Sequence, residues 1–212
     1  ALASVRRTYG FSAAQLLRPD GSVIVADGTP TLSGAPLRRA IDDAQAQGGV
    51  AMVDLYRADP TGDPRLGFVA LVMISRRGAY FGRTLVAFEL EPGDFLFRVL
   101  RQWPTAHTTG EAILVRPEGA DLVYLNDLKY RSNSALRLRL PLDTPELPAA
   151  LLLRGVASEI AGVDYRGEPV LAAGQAVPGT PWFLLAKVDQ AEAYRGERRF
   201  AALVAGLAGA AL

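Results

Sequence analysis

One segment of this chain occurs twice. Ala14–Val25 (AQLLRPDGSVIV) and Ala112–Val123 (AILVRPEGADLV) lie 98 residues apart and agree at six of twelve positions. Three of the remaining pairs, Leu17/Val115, Asp20/Glu118 and Ile24/Leu122, are conservative. Each copy reads as strand, turn, strand, because aliphatic runs flank Arg-Pro-Asp-Gly or Arg-Pro-Glu-Gly, which supplies the reversal. A repeat at this spacing in 212 residues splits the chain into two units of like size.

The elements after each hairpin repeat as well. Ser33–Gln47 places Leu37, Ala40, Ile41 and Ala44 at helical spacing, with Ser33 as a candidate cap and Gly48-Gly49 as the stop. Val50–Tyr56, Leu66–Ile74 and Arg83–Leu90 read as strands, and Glu91–Trp103 as a connecting helix stopped by Pro104. The second copy has a hairpin over Glu111–Asn126, then a polar crossover with a helix near Pro145–Arg154. Strands follow at Val156–Tyr165, Glu168–Val177 and Trp182–Val188, and Asp189 with Glu192 has the pattern of a capping box opening a final helix. Two strands, a helical crossover and three strands is the element order of a PAS-like module. The expected fold is therefore α+β: two tandem PAS-like modules, each a five-stranded antiparallel sheet with a helical crossover, and a C-terminal exit helix. Gln102–Gly110 holds the boundary, giving residues 1–103 to the first module with its connecting helix and 104–212 to the second with its exit helix.

Three segments carry a further likeness: ILVRPEGADLVYLNDLKYR, RLRLPL and VDYRGEPVLAAGQAVPGTPWFLLAKVDQAEAY. With the repeat, they resemble the double Cache sensor domain of bacterial histidine kinases, diguanylate cyclases and chemoreceptors. The resemblance covers nearly the whole chain and rests on pattern, with no single catalytic signature. It implies a periplasmic, ligand-sensing region of a membrane-anchored receptor, dimeric in the parent protein, whose first module is membrane-distal and holds an unidentified small molecule. It also implies a long opening helix, of which Ala1–Arg7 is the tail. One branch binds amino acids through a Tyr, Arg, Trp, Tyr and Asp motif in the first module. That motif has no counterpart here, since Arg101-Gln102-Trp103 follows the last strand of the first module rather than its crossover. The other reading of the same chain is a structural or dimerisation module with no small-molecule ligand.

The ends fit a piece of a longer membrane protein. The chain opens without Met or a signal segment, and Phe200–Leu212 is an uncharged run that reads as part of a membrane span.

Composition removes several classes of function. With 23 Lys and Arg against 22 Asp and Glu, the chain has no basic footprint for nucleic acid. It has no cysteine, so thiol catalysis, disulfides and Cys-based zinc sites are excluded. The single histidine, His107, has Glu111 nearby but no second His, which leaves a metal site or a Ser-His-Asp triad without members. No glycine-rich phosphate loop is present, and Asp42-Asp43 are neighbours that point apart on a helix. No catalytic residue, metal or cofactor is expected.

Binding chemistry is expected instead from polar and aromatic residues on or beside the strands. These are Asp54, Tyr56, Arg57 and Arg76 in the first module, and Tyr124, Asn126, Tyr130, Arg131, Tyr165 and Arg166 in the second. Tyr124 and Asn126 alternate with Val123 and Leu125, so they share one face. Tyrosine offers stacking surface and arginine a fork of donors, a pairing suited to a small carboxylate or amide. Asp54-Leu55-Tyr56-Arg57 also echoes Asp164-Tyr165-Arg166.

Overall fold

The computed structural model describes residues 2–59, 62–76, 79–102, 107–156 and 159–195. The chain divides into two units, residues 1–96 and 97–212. In the first, α1 (Leu2–Tyr9) precedes the hairpin β1 (Ala13–Leu17) and β2 (Val23–Gly28). Helix α2 (Gly34–Gln47) crosses over to β3 (Val50–Arg57), β4 (Pro64–Arg76) and β5 (Ala79–Leu90). Leu37, Ala40, Ile41 and Ala44 are the buried residues of α2, at the spacing that makes one apolar stripe, and the helix packs on β3 and β4. It ends at Gly48, whose left-handed backbone (φ 64°) lets its amide bond the Ala44 carbonyl. Leu17, Val69 and Leu85 beneath it are fully buried, each worth about 1.5–3 kcal/mol in transfer free energy.

A 3-10 turn (Pro92–Asp94) and a short α3 (Leu96–Arg101) follow, so the expected connecting helix is broken at Phe95. Trp103 and Pro104 lie outside the described residues. The second unit contains β6 (Glu111–Glu118), β7 (Asp121–Tyr124), β8 (Arg139–Pro141), α4 (Pro148–Leu153), β9 (Glu159–Val163), β10 (Pro169–Ala176), β11 (Phe183–Asp189) and α5 (Gln190–Ala193).

Both sheets are antiparallel and share one strand order. The first runs β2-β1-β5-β4-β3; the second runs β8-β7-β6-β11-β10-β9. The repeat holds in the register too. Leu17 pairs with Leu85 and Ala13 with Glu89 in the first sheet; Val115 pairs with Phe183 and Glu111 with Lys187 in the second. All four residues of the second set stand 98 positions after those of the first.

Three features depart from the sequence reading. The second sheet has six strands rather than five, because the crossover after β7 folds back on it. Tyr124 exchanges bonds with Leu138 and Leu136, which lays β8 on the β7 edge. The two Arg-Pro-acid-Gly turns also differ. Gly119-Ala120 joins a tight hairpin whose last pair is Glu118 and Asp121. In the first copy Arg18 bonds Ser22, and Ile24 is bulged between the pairs Leu16–Val25 and Leu17–Val23. Gly21 and Gly119 both take positive φ there, which only glycine adopts without strain.

Finally, the capping box at Asp189 and Glu192 does not form. Asp189 sits at the N-cap of α5 without a side-chain cap bond, and Glu192 turns to Thr108 and Thr109. The reason is donor supply: the two threonines offer two backbone amides and two hydroxyls, against one amide at the cap. Among the described residues no helix is long and apolar enough to cross a membrane. Phe200–Leu212, read as part of a span, lies outside the described residues.

Candidate functional site

On the last strand of the second sheet, Phe183, Leu185 and Lys187 alternate onto the core face. Phe183 and Leu185 join the apolar core, whereas Lys187 brings a charge to the same side, only 3% exposed. Its ammonium lies 3.1 Å from Glu111 Oε2 and 2.7 Å from Asp164 Oδ2. The Tyr165 ring centroid is 5.2 Å away and that of Tyr130 is 5.7 Å away. Two carboxylates and two aromatic faces are the chemistry that binds an alkylammonium ion.

The surrounding groups are saturated. Tyr165 donates its hydroxyl to Glu111 at 3.0 Å, and the Lys129 amide donates to the same carboxylate at 2.7 Å. Arg166 bonds Asp164 at 2.8 Å, pairs with Asp189, and stacks 4.3 Å from the Tyr130 centroid. Tyr124 meets Tyr165 edge-on, with centroids 6.1 Å apart. Burial alone would raise the Asp164 carboxyl, but the Lys187 ammonium and the Arg166 amide and guanidinium outweigh it and hold it below its ordinary value. Burial pushes the Tyr165 and Tyr124 phenols up, helped by the Glu111 charge at Tyr165 and by Asp164 and Glu111 at Tyr124. Between this centre and α4 the free volume is about 10 Å³, lined among others by Tyr124, Pro148, Asp164, Tyr165 and Lys187. That is room for about one water molecule.

In the first sheet the residue at the Lys187 position is Glu89, 1% exposed. It receives the backbone amides of Thr31 and Leu32 (2.9 and 3.0 Å), the Thr31 hydroxyl (2.6 Å) and the Tyr56 hydroxyl (2.9 Å). All four donors are neutral, and among the described residues no cation lies within salt-bridge distance of it. The carboxylate therefore ties the loop entering α2 to β3 and β5. Burial raises the Tyr56 phenol, and Glu89 adds to the rise.

Of the residues expected from sequence, the structure gathers Tyr124, Tyr130, Tyr165 and Arg166 around Lys187, and sets Tyr56 on Glu89. It does not bring in Asn126, Arg131, Asp54 or Arg57. β7 ends at Tyr124, and the buried Asn126 beyond it accepts from the Leu114 amide at 2.7 Å and donates to the Ala112 and Asp127 carbonyls. Arg131 lies in an exposed turn, its backbone bonded to Leu128. The amide of Leu55 donates to Asp54 at 2.6 Å, and Arg57 donates to the Gly62 carbonyl. Arg76 closes β4, with its side chain outside the description. The two Asp-Tyr-Arg echoes are not equivalent, since the first lies within β3 and the second in the turn after β9. Sequence reasoning missed Glu89, Glu111 and Lys187. Their signal was a charge at a core-facing strand position, flanked two residues away by Ala87, Ile113 and Leu185.

His107 is exposed, with Nδ1 3.9 Å from Glu192 Oε1. Among the described residues no group of three or more His, Asp or Glu side chains could hold a metal ion.

No protein-family model matches the chain, and no curated protein matches it. Solved structures do. The extracellular domain of the putative histidine kinase mmHK1S-Z3 superposes with a TM-score of 0.62 at 13% identity, over 93% of this chain and 80% of its own. The ligand-binding domain of the Pseudomonas aeruginosa PAO1 amino acid chemoreceptor PctB, in complex with L-Arg, gives 0.52 at 18% identity over 88% and 75%. That of the Pseudomonas fluorescens chemoreceptor CtaA, in complex with L-isoleucine, gives 0.53 at 16% over 92% and 75%. At these identities the likeness is one of fold. The chain shares the fold of these chemoreceptor ligand-binding domains and of the extracellular domain of that histidine kinase.

Proposed function

We propose that this chain is the extracytoplasmic, small-molecule-sensing region of a membrane-anchored signal-transduction receptor. The observation that carries the reading is the likeness of fold along nearly the whole chain to ligand-binding domains of chemoreceptors and to the extracellular domain of a histidine kinase. In this reading the two units are tandem PAS-like modules, the first membrane-distal, and the segment after Asp189 leads towards the membrane. Output by a kinase or a cyclase lies beyond this chain. A ligand acts by binding one of two conformations more tightly than the other.

The ligand is assigned to the first unit. In the second, the equivalent place is already filled by Lys187, whose own ammonium sits between Glu111 and Asp164. That unit fits the structural role. In the first unit, Glu89 is a buried carboxylate held by neutral donors alone, and Tyr56, half-buried, covers one of its oxygens. A ligand carrying an ammonium group supplies the missing positive charge by displacing the Tyr56 hydroxyl. Two of the similar structures hold amino acids, which have such a group.

A thermal-shift screen of amines, amino acids and small carboxylates tests this, since a ligand of the native state raises its melting temperature by mass action. Amines and amino acids are expected to stabilise the chain, and their des-amino analogues are not. Stabilisation by des-amino carboxylates alone would remove Glu89 from the site.

A further inference from the structure

We propose that the outer edge of β2 docks a second copy of this chain, the two β2 strands pairing antiparallel about a twofold axis. The inference starts from a difference between the repeats. Val23, Ile24 and Val25 are 50, 48 and 46% exposed, whereas Leu122 and Val123, at the Ile24 and Val25 positions of the second copy, are 0% exposed. In the second unit β8 pairs along β7, with Asp121, Leu122 and Val123 opposite Pro141, Leu140 and Arg139. The chain itself therefore shows what this edge accepts: an antiparallel strand.

Among the described residues no strand of the first unit pairs with this edge, and α1 meets β2 at its Asp27 end, through Arg6. Only Thr29–Ser33 separates β2 from α2, and Thr31 and Leu32 in that stretch are bound to Glu89. A bare edge is a pairing template, and proteins usually blunt one with lysine, proline, inward charges or a bulge. Val23–Ala26 has no charge and no proline. Its one such device is the bulge at Ile24, and Val25–Gly28 beyond it keeps regular register with β1.

The second copy is the occupant that fits best. Antiparallel self-pairing about a twofold axis sets one residue against its own copy; centred on Val25 it places Ile24 against Ala26 and Val23 against Asp27, so no like charges meet. At the turn end of the strand, exposed Arg18 and Arg38 flank Asp20; at the other end lies Asp27, paired with Arg6. Antiparallel pairing brings the arginines of each copy to the Asp27 end of the other, the self-complementarity of an isologous interface. The pairing adds strands to an existing sheet by main-chain bonds, and it is independent of what the first unit binds.

The absence of cysteine allows a direct test on the whole chain. Val25→Cys is expected to give a disulfide-linked dimer under mild oxidation. Ile74→Cys, at an apolar position of equal exposure (46%) on β4, is not. In sedimentation equilibrium, Ile24→Lys should weaken self-association by about ten-fold or more, while leaving the melting temperature of this exposed site unchanged. The proposal is overturned if the parent chain stays monomeric at high micromolar concentration, if Ile24→Lys leaves the dimer intact, or if the two cysteine variants cross-link alike.

Discussion

Glu89 and Lys187 occupy the same position, on the last strand of the same sheet architecture, with opposite charge. Each faces the core, is almost fully buried, and pairs across the sheet with residues that are themselves 98 positions apart, Ala13 and Glu111. The second unit compensates its buried cation with two carboxylates; the first meets its buried anion with neutral donors. On the proposed function, this difference separates the filled module from the one that takes a charged ligand.

Removal of Lys187 tests the filled module. Lys187→Met leaves the buried Glu111 without its cation and Asp164 with Arg166 alone, and should cost about 3–5 kcal/mol in urea unfolding, the range for breaking a buried ion pair. Lys187→Ala also opens room for a free alkylamine. Added n-butylamine should restore part of its melting temperature and do nothing for the parent chain. Equal stability of Lys187→Met and the parent would show that the pair is immaterial.

The Glu89 strap is tested by Tyr56→Phe. This substitution removes one hydrogen bond to a charged group and should destabilise the chain by about 1.5–3 kcal/mol. Thr31→Val, which removes another, should behave alike, and the double variant should deviate from additivity because both act on one carboxylate.

The pH dependence follows from groups shifted in opposite senses. Asp164 is held below its ordinary value, and Glu192 is held at about 2 by the hydroxyl of Thr109 and the amides of Thr108 and Thr109. Their contribution is complete above the ordinary carboxylate range and fades as pH falls through it, because the unfolded chain takes up protons first. Tyr56, Tyr124 and Tyr165 are raised, so their contribution is complete below about pH 10 and is lost as pH rises past it. In a spectrophotometric titration these three should ionise only together with unfolding, as followed by circular dichroism. Glu192→Gln should flatten the acid limb alone.

A close backbone contact gives a fourth test. A Cβ at Gly162 in β9 would lie 2.2 Å from the Glu146 carbonyl oxygen, which accepts the Val163 amide. Gly162→Ala should therefore destabilise by about 3 kcal/mol, the upper part of the overpacking range. Gly155→Ala, with nothing near its Cβ but with positive φ, should show backbone strain alone.

Much of the fold was legible because periodicity carries it. The stripe Leu37, Ala40, Ile41 and Ala44 marked α2, and the repeat marked both hairpins. Strand β8 was not legible: Arg139-Leu140-Pro141 is short and contains a proline, a residue confined to sheet edges, so only its pairing with β7 defines it. Tyr165 drew notice as a residue type, yet its partners Glu111 and Lys187 are set by cross-strand register, which a single sequence does not display. Asn126 misled because alternation was extended past the end of β7.

The central claim, that ligand sensing belongs to the first unit, is tested most directly by calorimetric titration of an amine or amino acid that stabilises the chain. Three variants decide it: Glu89→Gln and Tyr56→Ala in the first unit, and Tyr130→Ala, at an exposed ring, in the second. The first two should weaken binding by about ten-fold or more, as loss of a charged hydrogen-bond partner does, and the third should leave it unchanged. Full affinity in both first-unit variants, or affinity lost in Tyr130→Ala, would contradict the account.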